Sequence, residues 1–134
     1  QSDIVTLHTP LTDETRHLID ARALAQMKPT ALLINTAPGA VVDVDALAVA
    51  LREGRIAGAG IDVLPCEPPD PELPLIKLWQ EQTNPPVNLI ITPHTAFFSD
   101  AGLVEMRVKA AQEIARALRG EPLRNCVNGE FLKR

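Results

Sequence analysis

The chemistry in this chain gathers around one histidine. His94 follows the apolar run Leu89-Ile90-Ile91 through Thr92-Pro93. The run does not alternate, so it reads as a strand buried on both faces of a parallel sheet. Pro93 has no N–H to donate and ends it. An imidazole just past the carboxyl end of such a strand stands where open α/β sheets hold their ligands. It can exchange a proton near neutral pH if a carboxylate orients it and favours its charged form. Two carboxylates are candidates: Asp62, near the end of another apolar run, and Glu67, five residues further on. A third stretch, Asn35-Thr36-Ala37-Pro38-Gly39, also follows an apolar run. Parallel strands share a direction, so all three stretches are expected on one sheet edge.

The elements that must position these residues alternate. Strands are predicted over 4–8, 30–35, 56–63 and around 88–92. Asp20 is placed to cap a short helix through Ala21, Leu24 and Met27, which Pro29 ends. Asp43 caps a second helix carrying Leu47, Val49 and Leu51, with Gly54 at its C-terminus. Ser99 caps the longest, which runs to about Arg119 with Gly120 beyond. Leu103, Met106, Ala110, Ile114 and Ala117 lie along one side of it, and Glu105 and Lys109 make an i,i+4 pair. Gly58 and Gly60 predict close packing against the third strand. The stretch 64–87 holds seven of the twelve prolines and reads as one long connection, functional or mobile. Strand–helix alternation of this kind gives an α/β fold: a βαβαβ parallel sheet with right-handed crossovers and a long C-terminal helix.

Composition narrows the function classes. The 134 residues suffice for one core. Thirteen basic against seventeen acidic residues give a net charge of -4, with no basic block, which argues against a nucleic-acid partner. No apolar stretch approaches the roughly 18 residues that cross a bilayer, and no signal peptide is visible. Cys66 and Cys126 are far apart in sequence and are expected as free thiols in a reducing compartment. A cytoplasmic protein is the expectation. The chain enters a strand pattern directly, without an initiator Met, which suggests a piece of a longer protein.

Several stretches together resemble one family, the D-isomer-specific 2-hydroxyacid dehydrogenases. They are Leu7-His8-Thr9-Pro10-Leu11-Thr12, Leu33-Ile34-Asn35-Thr36-Ala37, Gly58-Ala59-Gly60-Ile61-Asp62-Val63, Glu67-Pro68 and Thr92-Pro93-His94. The chain is similar to the second half of that family's Rossmann-type nucleotide-binding domain. Phe97-Phe98-Ser99 and Asn125-Cys126-Val127-Asn128 look most like its C-terminal binding protein corepressor branch. The resemblance implies 1–120 as a partial NAD-binding domain and 121–134 as a tail returning to a separate substrate domain. It implies NAD as cofactor (with NADP open), a small 2-hydroxy or 2-keto acid as substrate, and a homo-oligomer. His94 would be the acid/base and Glu67 the residue that holds it and raises its pKa. Thr9, Pro10, Thr15, Thr36, Ala37, Pro38 and His94 would line the cofactor, and Asp62 would contact the nicotinamide carboxamide. A glutamine at position 67 would have pointed instead to formate dehydrogenases.

Two departures qualify these expectations. The family pattern Asn-Thr-Ala-Arg-Gly carries an arginine that binds the substrate carboxylate, and Pro38 stands in its place. A proline has no charge and no donor, so a bidentate clamp is absent there. The chain also contains no G-x-G-x-x-G loop to hold a pyrophosphate. The isolated chain is therefore expected to be inactive and prone to self-association. The alternative reading is a catalytically impaired, NAD-sensing or protein-binding module.

Overall fold

The computed structural model describes residues 2–81 and 85–129. Four strands, β1 (Ile4–Leu7), β2 (Leu32–Asn35), β3 (Gly58–Ile61) and β4 (Leu89–Ile91), form one sheet in the order β1-β2-β3-β4. All three pairings are parallel, and the register sets Leu7 beside Asn35, Asn35 beside Ile61, and Ile61 beside Ile91. The carboxyl ends of the strands are thereby level.

Between the strands run α1 (Ala21–Ala25), α2 (Val44–Arg52) and α3 (Pro74–Gln80). The Asp20 carboxylate caps α1 by accepting from Ala23 N at 2.8 Å, and Asp43 caps α2 by accepting from Ala46 N at 3.0 Å. Gly54 follows α2 with φ +65, a left-handed geometry that glycine adopts without steric cost. The first helix is shorter than expected: it stops at Ala25, and Met27 packs from beyond its end. Leu47 and Leu51 of α2 are buried, whereas Val49 is exposed, as its place on the outer side of a 3.6-residue period requires.

The core lies on one face of the sheet. Leu33, Ala59, Ile61 and Leu89 point into it and meet Leu24, Leu47, Leu75 and Leu78. Strand side chains alternate, so Ile4, Leu32, Ile34 and Ile90 point the other way. Ile4 is 59% exposed and Ile90 63%. The expectation that β4 is buried on both faces is thus corrected: the run is apolar throughout, but only Leu89 is buried. The third strand is also shorter than predicted, and Gly58 explains its close packing. A Cβ there would come within 2.3 Å of the Asn88 amide nitrogen.

The largest correction concerns 64–87, which is not one irregular connection. It contains α3, and Leu75, Ile76 and Leu78 of that helix are buried against α2 and β4. Pro74 is the reason that the helix starts where it does. At the first helical position its fixed φ fits and its missing N–H is not needed. Residues 82–84 of this stretch, like 130–134 of the expected tail, lie outside the described residues.

The described chain divides into two compact units after Ala96. The second contains α4 (Asp100–Arg119). Ser99 Oγ caps it by accepting from Gly102 N at 3.0 Å, and Gly120 closes it with φ +70. Lys109 pairs with Glu105 at 2.5 Å, as the i,i+4 spacing predicts. Both cysteines are free. Among the described residues no helix is long and apolar enough to cross a membrane.

The position of α3 gives a direct test. Leu75 is fully buried, so Leu75→Ala should cost about 2–5 kcal/mol in urea denaturation. Lys77→Ala, on the exposed side of the same helix, should shift stability by less than about 0.5 kcal/mol. Equal effects would mean that α3 does not pack as described.

Candidate functional site

The site grows from the strand ends. Asp62 is the first residue past β3; its N–H donates to Asn35 O at 2.9 Å, so the turn after β3 starts in register with the end of β2. Its carboxylate is buried and accepts three hydrogen bonds from the segment after β4. Thr92 Oγ1 donates to Oδ1 at 2.5 Å, Thr95 N to Oδ1 at 2.9 Å, and Ala96 N to Oδ2 at 3.0 Å. Burial raises the Asp62 pKa, but the Thr92 hydroxyl and the Ala96 and Thr95 amides together outweigh it, and the group ends below its usual range. Its charge is thus spent largely on holding the 92–96 loop. Thr92 was not singled out from the sequence; a hydroxyl two residues before the histidine was the available signal.

That loop carries His94 in a left-handed conformation, φ +53, which is uncommon for a side chain with a Cβ. His94 N donates to Asp62 O at 2.9 Å and Thr92 O at 3.0 Å, which holds the conformation. Glu67 arrives on the segment that leaves β3, and Leu64 N donates to its Oε1 at 3.3 Å. Its Oε2 lies 2.9 Å from His94 Nδ1. This bond holds the His94 pKa above its ordinary 6.5 and the Glu67 pKa below its ordinary 4.5. The two residues that the sequence placed 27 apart therefore form one pair.

The 35–39 turn stands beside them. Asn35 is fully buried; its amide donates to Ala37 O and its carbonyl oxygen accepts from Ala37 N, both at 3.1 Å. Thr36 and Pro38 are left exposed and Ala37 buried. Gly39 is obligatory here, because a Cβ would fall 2.1 Å from the Leu64 carbonyl carbon. Pro38, Gly39, Val63, Leu64, Pro65 and His94 thus share the wall of a cavity of about 310 Å³. Among the described residues no Lys or Arg lines it.

The remaining predicted residues follow β1. Pro10 is exposed. Thr15 clamps the 10–15 turn: its Oγ1 accepts from Thr12 N and donates to Pro10 O, both at 2.7 Å. Its hydroxyl therefore shapes the loop. Thr9 differs, for its Oγ1 is buried and makes no hydrogen bond among the described residues. A buried hydroxyl left unsatisfied is costly, and a polar ligand atom at this edge would relieve it. Among the described residues no group of three or more His, Cys, Asp or Glu is arranged to hold a metal.

Comparison with known proteins points to one family. Residues 1–96 match the D-isomer specific 2-hydroxyacid dehydrogenase family, NAD binding domain. Over 133 residues the chain is 44% identical to a glyoxylate reductase of Korarchaeum cryptofilum, covering 99% of this chain and 38% of that protein. A D-lactate dehydrogenase of Treponema pallidum superposes with a TM-score of 0.80 at 35% identity, over 91% of this chain and 38% of that one. A D-lactate dehydrogenase of Aquifex aeolicus complexed with NAD and lactic acid gives 0.79 at 34%, over 90% and 38%. The chain thus spans about two fifths of the length of these relatives.

The pair has a pH window. The contribution of His94 is complete below 6.5 and is lost as pH rises through its raised value. That of Glu67 is complete above 4.5 and is lost as pH falls through its lowered value. The pair is whole between these limits. In Glu67→Gln the His94 ring, followed by proton–nitrogen NMR, should titrate at lower pH than in the parent chain. An unmoved titration would show that the pair does not form in solution.

Proposed function

The chain belongs to the D-isomer specific 2-hydroxyacid dehydrogenase family, and from that premise we propose that it supplies the proton-transfer edge of an NAD-dependent oxidoreductase acting on a 2-hydroxy or 2-keto acid. The observation that carries the proposal is the Glu67–His94 pair at the carboxyl end of the sheet, 2.9 Å apart. NADH, when bound, supplies hydride to the carbonyl carbon. His94 in its charged form, which Glu67 favours, gives a proton from Nε2 to the carbonyl oxygen, so the ketone becomes an alcohol and the imidazole becomes neutral. Glu67 holds Nδ1, fixes the ring and stabilises the charged form. In the reverse direction His94 is the base.

The residues present fit the cofactor. Thr9, Pro10, Thr36, Ala37 and Pro38 would hold it along the strand ends, with the buried Thr9 hydroxyl as a partner in waiting. Asp62 could accept from the carboxamide with lone pairs that its three donors leave over. Thr15 would act through its turn. The pyrophosphate requires a glycine-rich loop that this chain does not contain. On this reading the protein is a cytoplasmic homo-oligomer.

Pro38 favours a second reading, a catalytically impaired NAD-sensing or corepressor-like module. Without a cation at that position, the substrate carboxylate has no bidentate partner.

A chimera separates the two: this chain in place of the matching stretch of the Korarchaeum cryptofilum glyoxylate reductase. If the first reading is right, the chimera reduces a 2-keto acid, and His94→Gln lowers kcat by about 10²–10⁴-fold. An inactive but folded chimera that still binds NADH favours the second. In an active chimera Pro38→Arg should raise kcat/KM on a small 2-keto acid at least about tenfold. An unchanged rate would mean that another cation already serves the carboxylate.

A further inference from the structure

A second cavity adjoins the first. It has a volume of about 590 Å³ and shares Leu64 and His94 with the smaller one, while Glu67 lines only the larger one. Its walls are Pro68, Pro71, Ile76, Trp79, Ile91 and Pro93. Among the described residues, the ionisable ones that line it are Glu67 and His94, which are paired with each other. Size and lining match those of a small-molecule site: mostly apolar, with a few convergent polar groups at one end. Trp79 is half exposed although it stands on this apolar wall, and its face, with the rigid proline rings, suits a flat or branched hydrocarbon group.

We propose that this larger cavity receives the apolar substituent of the substrate, so that the site selects 2-oxo acids with a branched-alkyl or aryl group over glyoxylate. The inference rests on the dehydrogenase reading above and names its substrate class. Two observations support it together. Among the described residues no Lys or Arg lines either cavity, and the walls of the larger one are chiefly apolar. The apolar wall begins at His94 itself, so a carbonyl carbon beside the imidazole would have its substituent within reach of Ile91 and Pro93. Burial of that substituent scales with its apolar area, and glyoxylate, with a hydrogen in its place, would gain nothing there.

Trp79 is the only tryptophan of the chain, so its emission reports on this cavity in the 134-residue protein. Titration with 4-methyl-2-oxopentanoate should give a saturable change, with half-saturation at least about tenfold below that of glyoxylate, or about 1.4 kcal/mol. Pro71→Asp, which puts a charge on the exposed wall, should erase the difference. Should that variant fail to fold, the methyl resonances of Ile76 and Ile91 provide the second measurement. They should shift with 4-methyl-2-oxopentanoate and stay in place with glyoxylate. Equal half-saturation, or a silent Trp79 with unmoved methyls, overturns the proposal. Turnover in the chimera keeps the two readings apart. Glyoxylate reduced as well as 4-methyl-2-oxopentanoate removes this inference and leaves the dehydrogenase reading. Selective binding without turnover of any 2-oxo acid upholds the cavity as a 2-oxo acid site and favours the catalytically impaired reading.

Discussion

The site depends on one buried carboxylate. Asp62 closes β3 and accepts from Thr92, Thr95 and Ala96, which ties the end of β3 to the loop after β4. A carboxylate away from water is costly unless donors surround it, and here three do. The backbone of Asp62 takes part as well, since its carbonyl accepts from His94 N. The uncommon backbone geometry of His94 is therefore a consequence of the bracket around Asp62. Glu67 leaves the same strand and returns to Nδ1 from the other side. Both halves of the proton-transfer pair hang from one strand end, so their separation is set by rigid sheet geometry rather than by two independent loops.

The parallel register extends this control across the edge. Asn35, Ile61 and Ile91 are aligned, so the turns that follow β2, β3 and β4 begin level with one another. Gly39 then lets the 35–39 turn close onto Leu64. The result separates two tasks that a 2-keto acid site needs. Proton transfer is fully equipped, with a paired and exposed imidazole. For a carboxylate, Pro38 itself offers neither charge nor donor. On the proposed reading, shape and apolar contact in the larger cavity beside His94 set the selectivity.

Much of the fold was legible because its signals are local. Asp20, Asp43 and Ser99 cap helices three residues ahead of the amides that they bind. Gly54 and Gly120 mark helix ends by their freedom at positive φ. The helix α3 escaped because Pro68, Pro69 and Pro71 crowd the segment that leads into it, and local composition outweighed the apolar run Leu75-Ile76 behind Pro74. The exposure of Ile90 escaped for a different reason: whether a face is covered depends on the elements that pack there.

The sequence by itself determined the alternation of strands and helices, the family, and the residue types at each strand end. Each of these is encoded within a few residues or in a motif of fixed spacing. It could offer Asp62 and Glu67 as candidate partners of His94, and only resemblance chose between them, since no periodicity links positions 27 apart. Tertiary structure decided which groups meet: that Asp62 spends its charge on the 92–96 loop, that Thr15 clamps its own turn, and that Thr9 keeps a buried hydroxyl without a partner among the described residues. It also decided that an apolar cavity opens beside the imidazole. Hydrogen bonds and cavities are set by distances between segments remote in the chain, and the register of the sheet, not the order of the residues, fixes those distances.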